Sequence, residues 1–362
     1  MYFLYNYIPI ILLGSTFGIY ELTNGIKIRD VKILHEAVFY ILVVLFFIYS
    51  GFRYETGRDY QSYIAFFERC DTSANEFEIG YLWLNRIFKY LGFNYYCMQI
   101  AISLFCTVSI SRLIKEKSCY PIFTLFIYFI VYYMPVDMAQ TRQWIAMAIL
   151  CNGLRKNIYN YKFLIYIYIA SLFHITAWFA LVPFFLMKIR FSKKILYCLF
   201  IVSVIAPFVF SGTMIIILKF LQTLQFLPSR LSYILKQYLG FEQDLHFGSG
   251  FGFLIKAIVI FSLIYFTRSK DTSNSFLLFL VSYLIFNCGI NFVLLQRLSN
   301  YFEISFLALT AYNIKYSKKF LVKEFYYFYC ICLVLYFLML FVIFFFSPDA
   351  KDWFPYKSLL SY

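Results

Sequence analysis

Neither Cys-x-x-Cys, His-x-x-x-His nor Asp-x-Asp occurs in this 362-residue sequence, and it holds only three histidines, His35, His174 and His246. Without those spacings the usual zinc and divalent-cation sites are excluded, and we expect neither metal nor cofactor. The nine cysteines (Cys70, Cys97, Cys106, Cys119, Cys151, Cys198, Cys288, Cys330 and Cys332) stand mostly inside apolar runs and read as small core residues, not as a disulfide framework. Charge is scarce as well, at 14% of residues. No basic leader and no small-residue cleavage pattern precedes Glu21, so residues 2–20 read as a first span and not as a cleavable signal.

What fills the chain instead is apolar sequence, 62% of residues, with 24% aromatic. Runs of about twenty such residues cross a bilayer as helices. Stretches such as Ile122 to Val136 and Phe325 to Phe346 are continuously apolar, which excludes the short alternating segments of a β-barrel. The sequence therefore predicts an all-α, polytopic integral membrane protein, one membrane domain over 1–362.

The net charge of +14 is gathered into clusters between apolar runs, which points to topology and not to nucleic acid. Arg112, Lys115 and Lys117; Arg155, Lys156 and Lys162; Lys188, Arg190, Lys193 and Lys194; Arg268 and Lys270; and Lys315, Lys318, Lys319 and Lys323 are placed in the cytoplasm by the positive-inside rule, with Lys27 to Lys32 as a sixth cluster. Spans then fall at 2–20, 37–52, 93–111, 120–136, 141–154, 195–210, 250–267, 275–290, 299–313 and 325–346. Residues 162–187 need two passes to keep both flanking clusters inside, so they read as two short, broken or re-entrant helices meeting near His174. The total is about 11–12 membrane segments, with the tail 347–362 outside.

This placement puts nearly all remaining polar residues on the extracytoplasmic face, in loops at about 53–92 and 211–249 and in the stretches 137–143 and 291–300. A one-sided distribution disfavours a transporter, whose site is expected near the bilayer midplane. Ionisable groups at a span's exit are costly and mark substrate paths, which directs attention to Arg53-Tyr-Glu-Thr-Gly-Arg-Asp-Tyr-Gln-Ser-Tyr63. Gly57 supplies a turn with positive φ before an amphipathic helix from Tyr60 to Arg69. Asp59 reads either as that helix's N-cap or as a proton acceptor, with Arg53 or Arg58 either flanking the span or holding an anion. A second amphipathic helix follows Glu78 and stops at Gly92. Asp137 and Gln140 have capping-box spacing. Arg142 enters an apolar helix and calls for an anionic partner or ligand. His174 reads as a neutral histidine bonded to a carbonyl or as a catalyst, and Arg297 shares a helical face with Asn300 and Tyr301.

Arg53-x-x-x-Gly57-x-Asp59-Tyr60-x-x-Tyr63, Glu78-x-Gly80-Tyr81, Arg142-Gln143-x-x-Ala146, Leu172-Phe-His174-Ile-Thr-Ala177 and Arg297-x-x-x-Tyr301-Phe302 occur in that order. Together they resemble the EpsG-like branch of the Wzy-type bacterial polysaccharide polymerases, over nearly the whole chain. The resemblance implies a metal-independent glycosyltransferase, possessing no cofactor, that joins oligosaccharide repeat units carried on undecaprenyl diphosphate at the outer face of the cytoplasmic membrane. Donor and acceptor lipids and the membrane are then its partners, along with a chain-length regulator, and nucleic acid is not. On this reading Asp59 is the general base, with Glu78 and His174 as alternatives. Arg53, Arg58, Arg142, Gln143 and Arg297 bind diphosphate or glycan, and Tyr60, Tyr63, Tyr81, Tyr301 and Trp83 supply aromatic or polar contacts to sugar and lipid. Arg58 departs from the small residue common in relatives and bears on sugar selectivity. A lipid-linked oligosaccharide flippase and an O-antigen-type ligase are the alternatives.

Overall fold

The computed structural model describes residues 7–24, 29–72, 76–156, 161–186, 188–189, 192–223, 250–266, 270–288, 297–301, 311 and 314–361. The chain is an all-α polytopic membrane protein. Its helices are α1 (Ile8–Asn24), α2 (Arg29–Gly51), α3 (Tyr60–Arg69), α4 (Ile79–Tyr90), α5 (Tyr95–Lys117), α6 (Pro121–Tyr128), α7 (Thr141–Lys156), α8 (Phe163–Ser171), α9 (Leu181–Leu186), α10 (Lys193–Thr223), α11 (Gly250–Phe266), α12 (Lys270–Cys288) and α13 (Lys323–Phe345). Among the described residues Lys32–Gly51, Tyr95–Lys117 and Lys323–Phe345 are long and apolar enough to cross a membrane, and Ile8–Thr23, Pro121–Met134, Ile175–Leu186 and Ala257–Phe266 are shorter apolar helices.

The chain forms two compact units, one from residues 1–181 and 310–362, the other from 182–309. In the first, the helix ends sort into two groups. At one end Glu21 of α1 accepts from His35 of α2 at 2.6 Å and from the Phe123 backbone N–H that opens α6 at 2.9 Å. Tyr326 of α13 donates to the Leu22 carbonyl at 2.7 Å, Lys115 donates to Tyr40, and Arg155 pairs with Glu116. The basic clusters of this unit gather at that end. The opposite end carries α3, α4, the start of α7, the end of α8 and the C-terminal tail. In the second unit Lys193, at the start of α10, donates to the Tyr265 carbonyl near the end of α11 at 2.9 Å.

Three departures from a simple helical reading have physical causes. The span after Pro121 does not stay α-helical: residues Phe129–Asp137 form a π-helix, in which the Met138 N–H reaches back five residues to the Tyr133 carbonyl at 3.1 Å. Pro135 lies within it and has no N–H to give. Residues 162–187 do break at the expected place, since α8 ends at Ser171, His174 is extended, and a 3₁₀ turn runs over Ile175–Ala180. Finally α10 continues through Pro207 to Thr223, so the loop expected to begin at 211 is helical over its first part. Residues 224–249 of that loop lie outside the described residues, as do 289–296 and 302–310 around the span expected at 299–313.

The tail closes back on the first unit. After a short 3₁₀ turn at Pro348–Asp352, strand β2 (Lys357–Ser358) pairs antiparallel with β1 (Arg53–Tyr54), Arg53 facing Ser358. The Leu359 N–H adds a bond to the Phe52 carbonyl at 2.8 Å. Loop 53–59 and the tail therefore lie on the same side of the membrane.

Candidate active site

Arg53 is the entry point, and it is buried: 1% of its surface is exposed. Its Nη1 donates to the Met138 carbonyl at 2.6 Å and its Nη2 to the Thr141 hydroxyl at 3.1 Å. Gln99 donates to the Gly51 and Arg53 carbonyls at 2.8 and 2.9 Å, fixing the backbone from which the side chain springs. The bonds of Arg53 thus go to the turn that launches α7. Gly57 leans on the same turn. Its φ is +110°, and a Cβ there would run into the Met138 carbonyl oxygen, so close approach and backbone sign both require glycine.

Arg142 stands one residue into α7. Its Nη1 pairs with Glu78 Oε2, and its guanidinium lies over the Phe77 ring, 4.1 Å from the centroid. Arg142 and the Tyr63 phenol lie close enough to act on one another's charge, while the buried Nε of Arg142 has no hydrogen-bond partner. Phe77, Tyr63, Phe66 and Tyr81 form an aromatic cluster beneath it, with ring centroids 4.5 to 6.0 Å apart. The ring face gives the guanidinium a contact besides its carboxylate.

Glu78 joins three chain segments. It precedes α4, its Oε2 meets Arg142, and its Oε1 accepts from the Ile175 N–H at 3.2 Å, at the turn that follows the break. Gly80 donates to the Leu172 carbonyl at 2.7 Å, an approach that leaves no room for a Cβ. Burial works to raise the Glu78 pKa, but Arg142, nearby His174 and the Ile175 N–H outweigh it, and the carboxyl sits below its ordinary range. His174 is buried, with Nδ1 against the Thr176 hydroxyl. Asp59 occupies the position before α3, yet its side chain makes no capping bond. It lies close enough to Tyr63 to act on it: burial raises the Tyr63 pKa, Arg142 lowers it, Asp59 raises it, and the net shift is upward. Asp59, Tyr63, Arg142, Glu78 and His174 therefore form one electrostatically connected group at the end of the unit away from its basic clusters.

Other residues singled out in the sequence sit differently. Tyr60, Tyr63 and Tyr81 are buried, their rings packed within the protein, and only Trp83 offers an exposed aromatic face. Tyr60 donates to the Arg53 carbonyl at 3.4 Å. Gln143 is buried beside Trp144 in α7. Arg58 is exposed and reaches Asp352 of the tail at 3.3 Å, an ion pair of little energetic weight in water. Arg297 and Tyr301 belong to the other unit, in a helical stretch at 297–301 whose spacing puts both on one face. The capping-box expectation for Asp137 fails: it ends the π-helix, fully buried, as acceptor of the Tyr128 hydroxyl, and α7 starts only at Thr141. Phe77, Thr141, Gln99 and Asp352 were missed by sequence reasoning. Gln99, a lone amide in an apolar run, carried a signal; the other three carried none.

Among the described residues no cluster of three or more His, Cys, Asp or Glu side chains is suited to a metal ion. The arrangement offers instead a polarised cation, a carboxylate that shields it, and a second carboxylate and a histidine nearby. A model of the EpsG family matches residues 36–358 of this chain. No curated protein and no solved structure matches it.

Proposed function

The chain belongs to the EpsG family of Wzy-like polysaccharide polymerases, and from that premise we propose that it joins undecaprenyl-diphosphate-linked repeat units at the outer face of the cytoplasmic membrane, without a metal. The observation that carries this reading is the placement of Arg142: a partly exposed guanidinium at the membrane-exit end of the helices, paired with Glu78, on which His174 also acts. The positive-inside rule turns that end outward, because the basic clusters lie at the other.

The reaction needs one bond made and one broken. An acceptor sugar hydroxyl attacks the anomeric carbon of the donor glycan, and the bond from that carbon to the diphosphate oxygen breaks, its electron pair leaving with undecaprenyl diphosphate. Arg142 stabilises the charge that builds on the leaving diphosphate, its planar fork matched to phosphate oxygens. Arg53 positions the turn that carries Arg142. Asp59 takes the hydroxyl proton.

The test is reconstitution of purified protein with lipid-linked repeat unit in chelator-treated buffer, read as a glycan ladder. A ladder in the wild type and its loss in Asp59→Asn, with insertion unchanged, is the expected result. A single transfer product would make the protein a ligase, and no product with translocated lipid a flippase. Near-wild-type elongation by Asp59→Asn would remove Asp59 from the proton transfer.

A further inference from the structure

The carboxylate of Glu78 occupies the position on Arg142 that an incoming phosphate would want. We propose that Glu78 is a resting counter-ion that the diphosphate of the lipid-linked substrate displaces from Arg142, so that binding exchanges one anion for another. This rests on the reading that the substrate is a lipid diphosphate.

Three features of the geometry support exchange over simple addition. First, Arg142 has a contact besides Glu78, because its guanidinium lies over the Phe77 ring, 4.1 Å from the centroid. Second, Glu78 has somewhere to stay when it lets go: Oε1 is tied to the Ile175 N–H at 3.2 Å, so only the Oε2 contact needs to open. Third, the pair is neither sealed nor open, with the Arg142 and Glu78 side chains 20% and 15% exposed. A guanidinium in that setting is costly to leave without an anion, which explains a resting partner. A diphosphate brings more negative charge and a bidentate fit.

The exchange predicts a sign that a merely structural ion pair does not. If Glu78 competes with the substrate, removing its charge tightens anion binding; if it only orients Arg142, removing it weakens binding. Wild-type protein and Glu78→Gln in nanodiscs are titrated with undecaprenyl diphosphate, with undecaprenol as control. The expected result is roughly three- to tenfold tighter binding of the diphosphate by Glu78→Gln, the factor one partly exposed ion pair commands, and no change for the alcohol. Equal or weaker binding by a folded variant overturns the exchange and leaves the proposed function standing. Absence of diphosphate binding by the wild type overturns the lipid-diphosphate reading itself. A second measurement needs no variant: labelling of Glu78 in the wild type with a water-soluble carbodiimide and an amine, read by peptide mass spectrometry, should rise at least twofold when undecaprenyl diphosphate is added. Unchanged or reduced labelling under saturating lipid overturns the exchange.

Discussion

Arg53 and Arg142 carry the same charge to opposite purposes. Arg53 is buried and donates to a carbonyl and a hydroxyl of the turn before α7, whereas Arg142 is partly exposed and pairs with a carboxylate. Lysine keeps the charge of either but loses the planar fork. Arg142→Lys should therefore leave the amount of folded protein in the membrane near normal and abolish the glycan ladder, while Arg53→Lys should lower the amount of folded protein itself; quantitative immunoblotting beside the ladder assay separates the two. Glu78 adds a dependence on pH. Its folded pKa lies below the ordinary glutamate value, so it stabilises the fold above about pH 4.3, and that contribution fades as pH falls through the lowered value. The Tm difference between wild type and Glu78→Gln should thus be constant from pH 7 to 5 and shrink below pH 4. Arg142 was legible in the sequence because a cation entering an apolar helix demands a partner. Which anion answers it was not, because Glu78 lies 64 residues away and nothing local ties them.

At the scale of elements, the break in 162–187 was readable because two basic clusters flanked a stretch too short for two full spans. The π-helix was not, since residues 129–137 have the same apolar character an α-helical span would have, and the Asp137–Gln140 spacing imitated a cap. Loop 53–59 depends on Gly57, where a side chain would be strained by sign of φ and would strike the Met138 carbonyl. Gly57→Ala should cost roughly 1–3 kcal/mol of strain or displace the turn before α7; a lower Tm together with loss of the ladder is the expected pair, and a wild-type Tm would show that the loop relaxes freely. Deleting residues 348–361 removes the strand partner of β1 and the Asp352 carbonyl that accepts from the Gly57 N–H at 2.7 Å. Membrane insertion should persist, with loop 53–59 newly open to limited proteolysis.

For the whole molecule, the pairing of β1 with β2 and the gathering of basic clusters at the other end of the first unit make one topology testable at several points. Cysteines placed at Glu76 and Lys351, in a background lacking the native nine, should react with an impermeant maleimide in intact cells, while one at Lys319 should react only after permeabilisation; the reverse pattern would turn the proposed site away from its substrate. The tail contact also bears on the order in which this protein is made. Lys357 meets Glu55 across 302 residues of sequence, so at synthesis rates of about 5–20 residues per second the loop that carries Arg53 waits some 15–60 s for its partner strand. Throughout that interval the ribosome holds a chain whose early helices are in the bilayer but whose loop 53–59 lacks its partner strand. A nascent copy, or one cut before residue 348, is thus expected to hold its early helices in the bilayer with β1 unpaired.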